Sequence, residues 1–294
     1  MNNKLSTIKM TSIAYILAIT IAITCSCTGT SPTYIHQHND PGNPQSIPSV
    51  VCAFENEDAA IDISNVSNGY VSVRWKSTTE KKIKALIEGP DGIRIQHNVK
   101  KDDAVSVLPL VSGDGEYKIG VYKQIEDARY AGVLYVVLED VVVAEAAFSH
   151  PNQYVNYDPY SLAVKKANEL VSGKDPERAI EILYEYVIKN FDYDYVKMRQ
   201  VEYDYLPNLD EIWEKRRGIC FDLASLLAAM LRSQGIPTKL VFGYASAVKE
   251  YHAWVSVFEL GTWKNLDPTA ASEYRNARRR FNPEAVEYSP VVIH

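Results

Sequence analysis

Gly218-Ile219-Cys220-Phe221-Asp222-Leu223-Ala224-Ser225-Leu226-Leu227-Ala228-Ala229-Met230-Leu231 is the stretch whose periodicity decides the fold. Apolar residues at 223, 226, 227, 230 and 231 keep helical spacing. Gly235-Ile236-Pro237 ends the helix, glycine as its stop and proline as a residue that cannot continue it. Cys220 stands three before Leu223 and so opens the helix on its apolar stripe, with Gly218 letting the chain turn sharply into it. A thiol there feels the positive end of the helix dipole, which favours thiolate. The plain alternative is a cysteine serving as a small buried hydrophobe.

Downstream, Lys239 to Tyr244 predicts a buried strand, Ala245 to Tyr251 a polar loop, and His252 to Phe258 the next strand. Glu259-Leu260-Gly261-Thr262 turns the chain, Trp263 to Asp267 returns it and Pro268 stops it. In such a hairpin 258 pairs with 263 and 254 with 267, which sets His252, Trp254 and Asp267 on one face. A slip of one residue would part the acid from the imidazole. With Cys220 packed against the same sheet, a thiol, an imidazole and a carboxylate fall in line. That is the nucleophile, base and orienting acid of covalent catalysis. One Cys, one His and one Asp are a ligand short of a structural zinc site, so no metal and no cofactor is expected. A serine triad fits less well, because Ser225 lies inside the helix.

Upstream, Leu162, Val164, Ala167, Leu170 and Val171 mark one helix. Asp175-Pro176-Glu177 opens another with a cap, a proline at its first position and an early acid. Phe191-Asp192-Tyr193-Asp194-Tyr195 then alternates polar and aromatic residues, with Tyr203 and Tyr205 beyond. Loop packing accounts for most of these tyrosines, with a substrate-groove wall as the sharper reading.

Residues 50–146 read as all-β. Alternating runs such as Tyr70 to Trp75 and Tyr117 to Tyr122 are separated by Asn68-Gly69, Gly89-Pro90-Asp91-Gly92 and Gly113-Asp114-Gly115. Short strands at this spacing predict a sandwich. Cys52 is expected in its core, and His97 sits in a polar patch without an obvious partner.

At the N-terminus, Lys4 and Lys9 precede an apolar run from Ser12 to Thr24, too short to span a membrane. Residues 1–27 are therefore expected to be an export signal, and residues 28–49, with Asn39-Asp40-Pro41-Gly42-Asn43-Pro44, a flexible polar tether. Formal net charge is −6 over 294 residues, which argues against a nucleic-acid partner. Of four cysteines, two fall in the signal, leaving Cys52 and Cys220 as free thiols in folded regions.

Three resemblances refine these expectations. Thr24-Cys25-Ser26-Cys27 resembles the lipobox of bacterial lipoproteins, which implies acylation of Cys27, or of Cys25, and a lipid-anchored protein facing outside the cytoplasm, with plain secretion as the alternative. Asp114-Gly115-Glu116-Tyr117 resembles the tyrosine corner of immunoglobulin-like domains, and Trp75 their buried strand-C tryptophan. Gly218-x-Cys220-x-Asp222-x-Ala224, Gly235-Ile236-Pro237-Thr238, Val241-x-Gly243-Tyr244, His252-Ala253-Trp254-Val255 and Trp263-x-x-Leu266-Asp267-Pro268-Thr269 resemble, in order, the transglutaminase-like domain of the papain-type superfamily.

The second resemblance implies an immunoglobulin-like all-β sandwich at 50–146, and the third an α+β transglutaminase-like domain at 147–294. The third makes Cys220 the nucleophile, His252 the general acid/base and Asp267 the orienting carboxylate. Tyr195 and Trp254 become groove or oxyanion candidates, with the Cys220 backbone N–H as the stronger oxyanion donor. The expected substrate is a protein or peptide amide, attacked to give a thioester, with hydrolysis favoured over amine transfer. A catalytically silent, surface-attached adaptor is the alternative.

Overall fold

Alternating runs in the first half form β1 (Ala53–Glu55), β2 (Ala59–Asp62), β3 (Tyr70–Trp75), β4 (Ile83–Glu88), β5 (Arg94–Asn98), β6 (Ser106–Pro109), β7 (Gly115–Glu126) and β8 (Arg129–Val141). The structure is a computed structural model that describes residues 53–143, 145–202 and 205–294. The export signal, the tether, Cys25, Cys27 and Cys52 lie outside the described residues. Two antiparallel sheets result, ordered β1-β2-β3-β6 and β5-β4-β7-β8. Inward residues of both, among them Ile61, Val73, Ala85, Leu108, Ile119 and Val136, share one buried cluster. Tyr117 is fully buried; its hydroxyl donates to Gly113 O (2.7 Å) and accepts from Ser112 N–H (3.0 Å), closing the corner that its sequence context predicts.

Trp75 departs from expectation. It is fully buried, but on β3, in the sheet opposite the one that carries Tyr117. A strand-C tryptophan would share the tyrosine's sheet. His97, on β5, is buried, neither ring nitrogen has a partner among the described residues, and burial pushes it down to about 4.

The second half begins with α1 (Leu162–Val171) and α2 (Pro176–Asn190), then β9 (Asp192–Tyr193), α3 (Tyr195–Met198), α4 (Leu209–Lys215) and β10 (Arg217–Gly218). α5 (Cys220–Arg232) follows, then β11 (Thr238–Ala245), β12 (Val248–Glu259), β13 (Thr262–Leu266), α6 (Pro268–Asn276) and β14 (Tyr288–Ile293). The last four strands make an antiparallel sheet ordered β13-β12-β11-β14. Asp175 caps α2 by accepting from Arg178 N–H (2.8 Å), as the Asp-Pro-Glu signal predicts.

The sequence shows α5 a single apolar stripe, yet every residue from Asp222 to Arg232 is buried. The helix is the centre of this half, packed by α1, α2, α4 and α6 and by β11 and β12. Its polar residues are accommodated one by one. Arg232 sends Nε to Thr238 O (2.8 Å), Nη1 to His150 O (2.9 Å) and Nη2 to His294 O (2.9 Å). Burial pulls its guanidinium down to about 10, still a cation at neutral pH. Gln153 and Tyr154 meet the sandwich: Gln153 accepts from Asn98 N–H (2.7 Å) and donates to Gln96 O (3.0 Å), and the Tyr154 hydroxyl reaches the same carbonyl (3.1 Å).

Removing one hydroxyl tests the tyrosine corner. Tyr117→Phe removes both hydrogen bonds of the corner, to half-buried Ser112 and exposed Gly113, and is expected to lower stability by about 0.5–1.5 kcal/mol in urea unfolding of the full chain.

Candidate active site

Position 218 permits close approach rather than a special turn. A Cβ there would lie 2.5 Å from the Asp222 Cβ. Asp222, the third residue of α5, folds back so that Oδ2 accepts from the Ile219 N–H (2.9 Å) and from Lys197 Nζ (2.6 Å), while Oδ1 accepts from the Tyr205 hydroxyl (2.6 Å). This buried carboxylate therefore anchors the first turn of α5, whose first residue is Cys220. Cys220 is half-buried and free.

The hairpin adopts the predicted register, Phe258↔Trp263 and Glu259↔Thr262, around Leu260-Gly261 with positive φ at both (49° and 80°). β13 ends at Leu266, so Asp267 lies just past the ladder. Its Oδ2 accepts from His252 Nε2 at 2.9 Å. Its Oδ1 accepts from the Ala270 N–H, also at 2.9 Å, because Asp267 caps α6 with Pro268 as the first helical residue. The sequence reading stopped the chain at Pro268 and missed this helix. Asp267-Pro268 is the same cap-and-proline signal as Asp175-Pro176.

The His252 imidazole feels burial first, which lowers it. The hydrogen bonds to Asp267 and to Cys220, with the charges of both, outweigh burial and raise it to about 10. Nε2 is committed to the acid, which leaves Nδ1 for the thiol. His252 and Asp267 are thus in direct contact, and Cys220 lies near enough for its charge to act on the imidazole.

The two remaining candidates land elsewhere. Trp254 is fully buried, its Nε1 on Asn265 Oδ1 (3.3 Å) and its ring beside those of His252 (6.3 Å between centroids) and Tyr288 (4.9 Å). It backs the imidazole and is no groove wall. Gly243 makes room for it, since a Cβ there would sit 3.0 Å from the indole and 2.2 Å from Ser289 O. Tyr195 is exposed, with its hydroxyl on Glu273 and its ring against Tyr193 (4.8 Å between centroids).

Tyr193 is the neighbour that the sequence did not single out. β9 and β10 pair in parallel with Gly218 opposite Tyr193, two residues before the thiol. Burial, then the charges of Cys220, Glu273, Tyr195 and Glu250, hold its hydroxyl protonated far above the usual phenol range. Nothing in the alternation of 191–195 separates Tyr193 from Tyr195, and only the pairing with β10 does. Among the described residues no three His, Cys, Asp or Glu side chains converge as a metal site requires.

Residues 164–268 match the Transglutaminase-like superfamily. Over 104 residues the chain is 31% identical to the UPF0252 protein MJ1282 of Methanocaldococcus jannaschii, covering 32% of this chain and 30% of that one. It is 38% identical over 63 residues to the protein ML0607 of Mycobacterium leprae, covering 18% and 22%. The chain thus spans less than a third of the length of either relative. Among solved structures, a candidate cysteine protease from Cytophaga hutchinsonii is similar at 15% identity and a TM-score of 0.38, over 75% of this chain and 69% of that one. The matched span lies within the half of the chain built around α5 and takes in Cys220, His252 and Asp267.

His252 has a pKa in the folded state above its unfolded value of about 6.5, so its proton stabilises the fold. That contribution is complete below about pH 6.5 and is lost as pH rises through about 10. In thermal melts the margin of wild type over His252→Gln is expected to narrow steadily across that window.

Proposed function

We propose that this chain is an extracytoplasmic thiol enzyme that cleaves protein or peptide amides through Cys220, His252 and Asp267. The observation that carries the proposal is a single buried imidazole hydrogen-bonded to a buried carboxylate at 2.9 Å, with the thiol that opens α5 near enough to help raise the imidazole's pKa. Cys220 Sγ, as thiolate, attacks the amide carbonyl carbon. The oxyanion that forms faces the unpaired backbone N–H groups of the first turn of α5, that of Cys220 foremost. The His252 imidazolium gives its proton to the leaving amine as the C–N bond breaks, and a thioester remains. Water, deprotonated by the now neutral imidazole, attacks the thioester; the acid leaves and the thiolate–imidazolium pair is restored.

Hydrolysis is favoured over amine transfer because Cys220 is partly open to solvent, so water has access to the thioester. Export and lipid anchoring through Cys27 or Cys25 remain part of the proposal, supported by the basic, apolar and small-residue order of residues 1–27. The sandwich is read as an immunoglobulin-like domain preceding the catalytic one, on its strand order and its tyrosine corner.

A peptide library incubated with the full chain and a primary-amine probe, read by mass, tests the chemistry. Plain cleavage that disappears in Cys220→Ala is the expected result; amine incorporation would reassign the acceptor, and silence would leave the adaptor alternative. Asp267→Asn keeps a good cap for α6 but removes the charge behind His252. It is expected to lower kcat by about 10²–10⁴-fold and also to lower the thermal midpoint at neutral pH, because the raised pKa of His252 depends on that charge.

A further inference from the structure

The dipole of α5 does not reach Cys220 unopposed. A helix N-terminus carries the equivalent of about half a positive charge. Asp222, wholly buried in the same first turn as the thiol, sets a full negative charge against it. Its Oδ2 lies 2.9 Å from the backbone nitrogen of Ile219, the residue that leads into Cys220. Left alone, this acid would turn the end of the helix net negative. It would then disfavour both the thiolate and the oxyanion that forms beside it.

Lys197, on α3, supplies the missing charge. Its Nζ donates to Asp222 Oδ2 (2.6 Å) and to the Tyr205 hydroxyl (2.6 Å), which in turn donates to Asp222 Oδ1 (2.6 Å). Ile219 N–H and Tyr205 O–H already give each carboxylate oxygen a donor, so what Lys197 adds is charge rather than a needed hydrogen bond. Among the described residues it is the one cation bonded to Asp222. The other acid that acts on Tyr205, Glu211 of α4, is taken up by Lys215 (2.5 Å). The backbone beneath Lys197 is tied to the segment that enters α5. Asp194 Oδ1 accepts from the Lys197 N–H (2.9 Å), and the Asp194 N–H donates to Gly218 O (2.9 Å). We infer that Lys197 is a positioning residue for charge: by neutralising Asp222 it leaves the positive end of α5 free to hold the Cys220 thiolate and the oxyanion. The inference rests on the thiol-enzyme reading and adds to it a residue that works through Asp222 and not on the reacting atoms.

The test needs no known substrate. The rate of iodoacetamide alkylation at Cys220, mapped by peptide mass in the full chain, is followed across pH, with N-acetylcysteine as the free thiol. Lys197→Met keeps the stem and loses the charge; the midpoint of its pH–rate profile is expected to move up by about one pH unit. Asp222→Asn keeps an acceptor for Ile219 and leaves the lysine's charge in place, so its midpoint is expected to move down by a similar amount. The double variant is expected to return close to wild type. Opposite shifts in the two single variants are the signature of charge compensation. A purely structural role would slow both without moving either midpoint, and that result overturns the inference. Thermal melts report which variants are folded; should Lys197→Met not fold, Asp222→Asn decides by the sign of its shift, and anything but a downward one overturns the inference. An activated wild-type Cys220 with unmoved midpoints in the variants overturns this inference alone. A wild-type Cys220 no faster than N-acetylcysteine at neutral pH takes the thiol-enzyme reading down with it.

Discussion

The Asp267 carboxylate divides its two oxygens between a helix and an imidazole. Oδ1 satisfies one of the orphan N–H groups of α6, and Oδ2 orients His252. A charged acceptor buried this deeply costs several kcal/mol unless its lone pairs are used, and here both sides are used. Tyr184 donates to the backbone carbonyl of the same residue (3.1 Å), so α2 also holds Asp267 in place. The position of the acid is therefore fixed by the packing of α2, α5 and α6 and not by the hairpin alone, and the imidazole inherits that precision.

Much of this was legible in the residues. The two-residue turn at Leu260-Gly261 sets the register, and register decides whether an acid fifteen residues from a histidine can meet it. What could not be read is what lies behind and beside the pair. Trp254 has the parity of His252 and so was expected near a groove, but parity does not tell which face is covered; β14 covers this one. β14 itself carries Pro290 in an otherwise apolar run, a pattern that marks an edge strand. Gly218 has a turn residue's reputation, yet its role is set by Asp222, four residues on, through a clash that spacing does not reveal. Tyr193 and Tyr195 are equivalent in the sequence until a two-residue parallel pair distinguishes them.

The sandwich half was legible as a pattern of strands and turns, and less so in detail. The corner tyrosine could be picked out because its glycine-flanked turn is local. Trp75 could not be assigned to a sheet, because that depends on how many strands precede it. At the seam, Tyr154 stacks on His294 (3.9 Å between centroids) and sets its edge near His97 (6.1 Å), while Phe221, next to the thiol, packs against Tyr154 and Phe242. Burial keeps both histidines neutral at ordinary pH, His294 down to about 3. A joint of aromatic rings and neutral imidazoles thus runs from the sandwich to the first turn of the helix that presents the sulfur.

Arg232 closes that helix at its other end, and its three carbonyl partners come from the junction at His150, from the entry to β11 and from residue 294. The buried cation is thus satisfied by oxygen acceptors drawn from three separate segments. Two of them lie close to α5 in sequence or before it, but the third is separated from Arg232 by 62 residues. The far end of the helix that carries Cys220 is thus held by segments scattered along the chain, so a change at the sandwich junction or at β14 is felt along α5.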